Sequence, residues 1–201
     1  MAKIQPLPAG RASPSPCSSS DGQQSKQLAY TVWMKSLVFN GNGCTVYTPH
    51  GGVAFRVDNY GCKGAREVFF MDRAGNTLLR IRRKGFGMFR RWEVCRCTQT
   101  AGDEEATPWF TVRPTNKGGA AVKMHGGAST CYNVDGCAVK SEYRVMCGGM
   151  DGAVVAEVAR KQTAAGVVLG EDVLTLTMGP EVDHLLVLGL VVVHGLMNRS
   201  L

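Results

Sequence analysis

The chain contains no C-x-x-C pair, no paired-histidine zinc motif, no nucleophile elbow and no glycine-rich phosphate loop leading into a helix. Histidine is scarce, with four residues: His50 and His125 in Gly-rich turns, and His184 and His194 ten positions apart, near opposite ends of one helical segment. These absences weigh against metal-assisted, nucleophilic and nucleotide-dependent catalysis. No catalytic residue, metal site or cofactor is expected. The amino terminus lacks the apolar core of a secretory signal, and position 2 is Ala rather than the Gly that myristoylation needs, so a cytoplasmic or nuclear protein is expected. In that compartment thiols stay reduced, and the eight cysteines read as small buried hydrophobes, including Cys95 and Cys97 on one strand face. Acid is also in short supply: 16 Asp and Glu face 23 Lys and Arg, for a net charge of +7, which favours an anionic partner. Nucleic acid, phosphoinositide and an acidic protein all satisfy that condition.

The pattern that is present is β. Apolar and polar residues alternate in Val53, Phe55 and Val57, in Leu79 and Ile81, in Val154, Ala156 and Val158, and in Leu174, Leu176 and Met178. Turn signals such as Asn40-Gly41-Asn42-Gly43, Asp72-Arg73-Ala74-Gly75-Asn76 and Asn116-Lys117-Gly118-Gly119 separate the runs. The spacing predicts strands near 30–39, 43–48, 52–58, 66–71, 76–83, 88–97, 108–113, 120–125, 130–135, 141–147, 153–160 and 172–178. Residues 1–27, rich in Pro, Ser, Gly and Gln, carry no periodic apolar face and read as a disordered tail. The remainder, 28–201, is long enough for one domain with a real core.

A closed antiparallel barrel removes the exposed edges that so many strands would leave. At about twelve strands its interior is too wide for wall side chains alone, because barrels of about eight strands are already filled by their own residues. The filler is the last apolar block, Leu185–Val193, which reads as a helix over about 180–196, with Pro180 at its first position and Glu181 and Asp183 at the positive end of its dipole. It has no polar face, so it belongs in a protein interior or in lipid. His194, Gly195 and Asn198-Arg199 cut the run short of the roughly 20 apolar residues of a span, and no transmembrane segment is expected.

Several stretches resemble the LURP-one-related proteins of plants: Thr31-Val32-Trp33-Met34-Lys35-Ser36-Leu37, Phe55-Arg56-Val57-Asp58-Asn59-Tyr60, Ile81-Arg82-Arg83-Lys84, Arg91-Trp92-Glu93, Pro108-Trp109-Phe110, Gly166 to Leu174, and Val182-Asp183-His184. That family is similar to the tubby carboxy-terminal domain and to the phospholipid scramblases. The resemblance implies a mainly β, twelve-stranded barrel around a hydrophobic helix, and a link of one member to plant defence.

The densest charge is Arg80, Arg82, Arg83, Lys84, Arg90 and Arg91, with no acid until Glu93 and with Phe86 and Phe89 between. If Leu79 and Ile81 face the core, Arg80 and Arg82 share the outer face, where two guanidiniums can grip phosphate oxygens, and Gly85-Phe86-Gly87 turns the chain. Phe86 and Phe89 are the candidate membrane contacts. Tubby-like barrels hold a phosphoinositide headgroup on a basic pair near the fifth strand, which the resemblance aligns with Arg80-Ile81-Arg82 or with Arg82-Arg83-Lys84. The expected function is non-catalytic: binding of phosphoinositide or an anionic membrane, peripherally at the plasma membrane or in the nucleus. The alternatives are a protein-interaction scaffold without lipid binding, a nucleic-acid-binding barrel that stacks bases on Phe86, Phe89 and Trp92, and a merely solvated basic hairpin.

Overall fold

The alternation becomes twelve strands: β1 (Leu28–Trp33), β2 (Gly43–Tyr47), β3 (Val53–Asp58), β4 (Glu67–Asp72), β5 (Thr77–Lys84), β6 (Arg91–Arg96), β7 (Phe110–Pro114), β8 (Ala120–Met124), β9 (Cys131–Cys137), β10 (Glu142–Cys147), β11 (Ala153–Arg160) and β12 (Val173–Met178). These come from a computed structural model, which describes residues 27–35, 43–58, 67–86, 90–97, 107–116, 118–127, 130–137, 141–148 and 152–198. The expectation of a disordered tail over 1–27 therefore falls, apart from residue 27, outside the described residues.

Every strand runs antiparallel to its neighbours in sequence, and β1 closes the barrel on β12 from Leu28 opposite Met178 to Trp33 opposite Val173. At this seam Trp33 Nε1 donates to Asp172 Oδ2 at 2.9 Å and Lys35 Nζ lies 2.9 Å from the same oxygen. The hydrogen bond from Lys35, followed by that from Trp33, holds the Asp172 carboxyl below the usual carboxylate range. The seam thus keeps its charge down to acidic pH and loses that contribution only as pH falls through the depressed value.

One face of each strand makes the core. Val32, Phe70, Leu79, Ile81, Val94, Phe110, Val145 and Leu176 are fully enclosed. Val154 departs from the expected inward set. A bulge between Val145 and Met146 skips one residue of β11, so Ala156 and Val158 stay inside while Val154 turns out to solvent.

The helix α1 (His184–Met197) fills the barrel, and every residue from Leu186 to Gly195 is buried. Among the described residues no helix is long and apolar enough to cross a membrane. Its start differs from the expected 180. Residues 179–182 form the turn out of β12, and Asp183, in extended conformation, is the N-cap: its Oδ1 accepts from Leu185 N at 2.9 Å and Leu186 N at 3.1 Å. A short carboxylate satisfies orphan helix N–H groups better than Pro180 could, since proline only fits the first turn passively. Asp183 Oδ2 also pairs with Arg96, whose guanidinium lies 3.7 Å from the Trp109 ring centroid. Asp183→Ala is expected to lower unfolding stability by about 1–2 kcal/mol in urea titrations, because cap and latch go together. At Gly189 the helix lies close against the wall: a Cβ there would lie 3.0 Å from Leu79 Cδ1 and 3.3 Å from Phe110 Cζ.

Since the chain simply winds up and down, the β5–β6 and β11–β12 connections share one end of the barrel with the helix carboxy terminus. Arg96, Trp109 and the helix start occupy the other.

Candidate anion- and lipid-binding site

Leu79 and Ile81 point into the core as expected, which leaves Arg80 and Arg82 together on the outer face of β5. The strand pairing changes their meaning. Glu67 of β4 stands directly opposite Arg82 and pairs with Arg80 through Nε, while Arg82 Nε lies 3.6 Å from the same carboxylate. The stretch without acid from 80 to 92 is therefore partly neutralised by an acid that precedes it in sequence. Arg91 is likewise held by Glu93, two residues along its own strand face, at 3.0 Å. Among the six expected anion-binding cations, Arg80, Arg82 and Arg91 thus stand beside carboxylates.

What stays electrostatically open is the tip. Among the described residues no carboxylate pairs with Arg83 or Lys84, and with Gly85 and Phe86 they line a cleft of about 190 Å³. Gly85 makes the turn at φ +75°, in the left-handed region that glycine enters freely. Phe86 follows with 76% of its surface exposed, a large apolar side chain with no share in the core. Arg90 is exposed at the return into β6; Phe89 lies outside the described residues.

Around the wall from this tip the outer faces of β6, β7 and β8 form a groove of about 350 Å³ lined by Arg91, Glu93, Pro108, Thr111, Arg113, Ala121, Val122, Lys123 and His125. Lys84 stands opposite Arg91, and the β6–β7 register, with Trp92 opposite Val112, brings Arg113 alongside. Like charges in adjacent strands are unfavourable unless an anion screens them. The nearly buried Thr111 hydroxyl and His125 Nε2 are 2.7 Å apart, so the imidazole is fixed at the groove edge. Arg113 and Lys123 escaped the sequence reading because each is a single cation in its own strand, and His125, noted there only as a turn residue, directly follows β8. Outward alternation combined with neighbouring hairpins could have gathered them.

The cysteines divide. Cys44 and Cys95 are buried, as expected of small hydrophobes, whereas Cys131 is exposed. Cys97 is half-buried, and burial pushes its thiol up, away from the reactive thiolate.

With barrel, helix and basic tip in place, comparison with known proteins is decisive. Residues 28–195 match LOR, LURP-one-related. The chain belongs to the LURP-one-related family. Among its relatives in Arabidopsis thaliana, Protein LURP-one-related 11 is 38% identical over 86% of this chain and 79% of its own length, and Protein LURP-one-related 4 is 36% identical over 94% and 86%. Protein LURP-one-related 8 is 31% identical over 93% of this chain and 95% of its own. An X-ray structure of another Arabidopsis thaliana protein superposes with a TM-score of 0.61 at 21% identity, covering 87% of this chain and 93% of that one, a likeness of fold. The LURP-one-related match takes in the strands, the helix as far as Gly195 and the basic hairpin alike.

Proposed function

We propose that this LURP-one-related barrel is a non-catalytic module that docks peripherally on anionic, phosphoinositide-bearing membrane through its β5–β6 hairpin. The observation that carries this reading is the tip itself: Arg83 and Lys84 without a carboxylate partner among the described residues, beside a Phe86 that faces water. Cations near an anionic surface contribute about 1 kcal/mol each, and an aromatic ring at headgroup depth adds apolar burial. The groove with Arg113 and Lys123 extends the same positive surface around the wall. The Thr111–His125 contact is read as positioning rather than as nucleophile and base, because Thr111 is only 8% exposed. A cytoplasmic protein recruited to the plasma membrane in plant defence is the setting in which such docking would act.

The test is cosedimentation with phosphatidylcholine vesicles containing phosphatidylserine or a phosphoinositide. Arg83→Ala with Lys84→Ala is expected to weaken binding about thirtyfold. Arg73→Glu removes the same charge from an exposed position in the β4–β5 turn, at the opposite end of the barrel, and should weaken it far less at physiological salt. Equal losses would reduce the effect to net charge. Capture of nucleic acid at matched salt, or of a protein partner, with no vesicle binding, would favour the nucleic-acid or scaffold reading.

A further inference from the structure

The segment Gly166–Gly170 is accounted for neither by the core nor by the basic hairpin. Among the described residues six large hydrophobics are exposed, and Val167, Val168 and Leu169, at 61%, 44% and 50%, are three of them. They are not on a slack loop. Gln162 bridges Val168, Thr163 N donates to Val167 O at 2.8 Å, Leu169 N to Lys161 O at 3.0 Å, and Thr163 Oγ1 accepts from Val167 N at 3.1 Å. This is a small hydrogen-bonded hairpin standing beyond the barrel rim between β11 and β12. Phe86, the most exposed of the six, projects from the β5–β6 turn at the same end. In a ring of twelve strands the two connections are six strands apart, on opposite sides of that mouth.

We propose that this end of the barrel is a two-pronged membrane-docking face, in which Val167, Val168 and Leu169 enter the headgroup layer of an anionic bilayer together with Phe86. Two apolar points on opposite sides of one mouth fit a flat partner laid across it, and the unneutralised Arg83 and Lys84 beside one point select an anionic surface. Between them the helix carboxy terminus would face the bilayer, so the barrel axis stands upright on the membrane rather than lying along it. The inference rests on the membrane reading above and adds a second contact and an orientation.

Val167→Asp with Leu169→Asp, both exposed and outside the core, should leave thermal unfolding unchanged and weaken binding to phosphatidylserine-containing vesicles about tenfold. In a separate variant, Val168→Trp should show added tryptophan fluorescence that is quenched by lipids brominated on their acyl chains. Loss of binding in the Arg83, Lys84 pair but not in the Val167, Leu169 pair, or an introduced tryptophan that brominated lipid leaves unquenched, would overturn the two-pronged face while leaving the basic-hairpin reading intact. The converse result would remove the basic hairpin and keep this face. A wild-type protein that binds no anionic vesicle would end both.

Discussion

Deleting residues 180–201 is expected to leave no soluble, folded barrel. The twelve-strand ladder fixes the diameter of the wall, so the lumen cannot shrink to close over the space the helix occupied. Ten consecutive buried residues of the fourteen-residue helix would be missing from it, and fully enclosed wall residues such as Phe70, Leu79, Ile81 and Phe110 would line a void. Voids destabilise in proportion to their volume, about 24 cal/mol per Å³, and a helix-sized one exceeds the 5–15 kcal/mol by which domains are stable. Solubility on expression and far-UV circular dichroism read the outcome. A truncated chain that stays soluble with a strand spectrum and cooperative unfolding would refute the helix as structural filler. Leu190→Ala makes a milder version in a chain that still folds, and should lower unfolding stability by about 2–5 kcal/mol in urea.

The reason so much of this fold was legible in advance is that its two main signals are local. Alternation in Leu79-Arg80-Ile81-Arg82 or Leu174-Thr175-Leu176 names both the strand and its inner face, and short turns between such runs leave antiparallel neighbours as the simplest order. The helix declared itself by having no polar side. Its starting point was not legible, because Pro180, Glu181 and Asp183 all suit a first turn, and what distinguishes the cap is the extended backbone of Asp183 and its carboxylate's bonds to Leu185 N and Leu186 N. Val154 was misplaced for a similar reason: a bulge depends on the partner strand, and the sequence of β11 alone does not show it.

The position of the basic hairpin was legible in the sequence, and the carboxylate beside it was not. Arg80 and Arg82 are where alternation places them, but the carboxylate that neutralises them is Glu67, across a strand boundary. Counting charges along the chain overstates a cluster whenever the neighbouring strand brings an acid into register. In the proposed reading the weight therefore falls on Arg83, Lys84 and Phe86, which among the described residues have no carboxylate opposite them.

His194→Leu is expected to stabilise the protein and to remove most of its acid sensitivity between pH 6.5 and about pH 4. The imidazole is fully enclosed inside the barrel, neither ring nitrogen has a hydrogen-bond partner, and its nearest aromatic neighbour is Tyr143, 4.5 Å away between centroids. Burial raises the Tyr143 phenol, which stays neutral and supplies no countercharge. Burial likewise lowers the His194 pKa from 6.5 to about 4. Between these values the unfolded chain takes up a proton that the folded one refuses, so stability present above pH 6.5 is lost on acidification, by about 3 kcal/mol when pH 4 is reached. The depressed carboxyls of Asp172 and Asp72 lose their contributions at lower pH and remain in both proteins. Leucine fills nearly the same volume without stranded polar atoms, and removing such atoms is worth about 1–2 kcal/mol at neutral pH. Urea midpoints at pH 7.5 and pH 5 for the two proteins measure both effects. Parallel losses on acidification in wild type and variant would show that His194 is not the group that titrates.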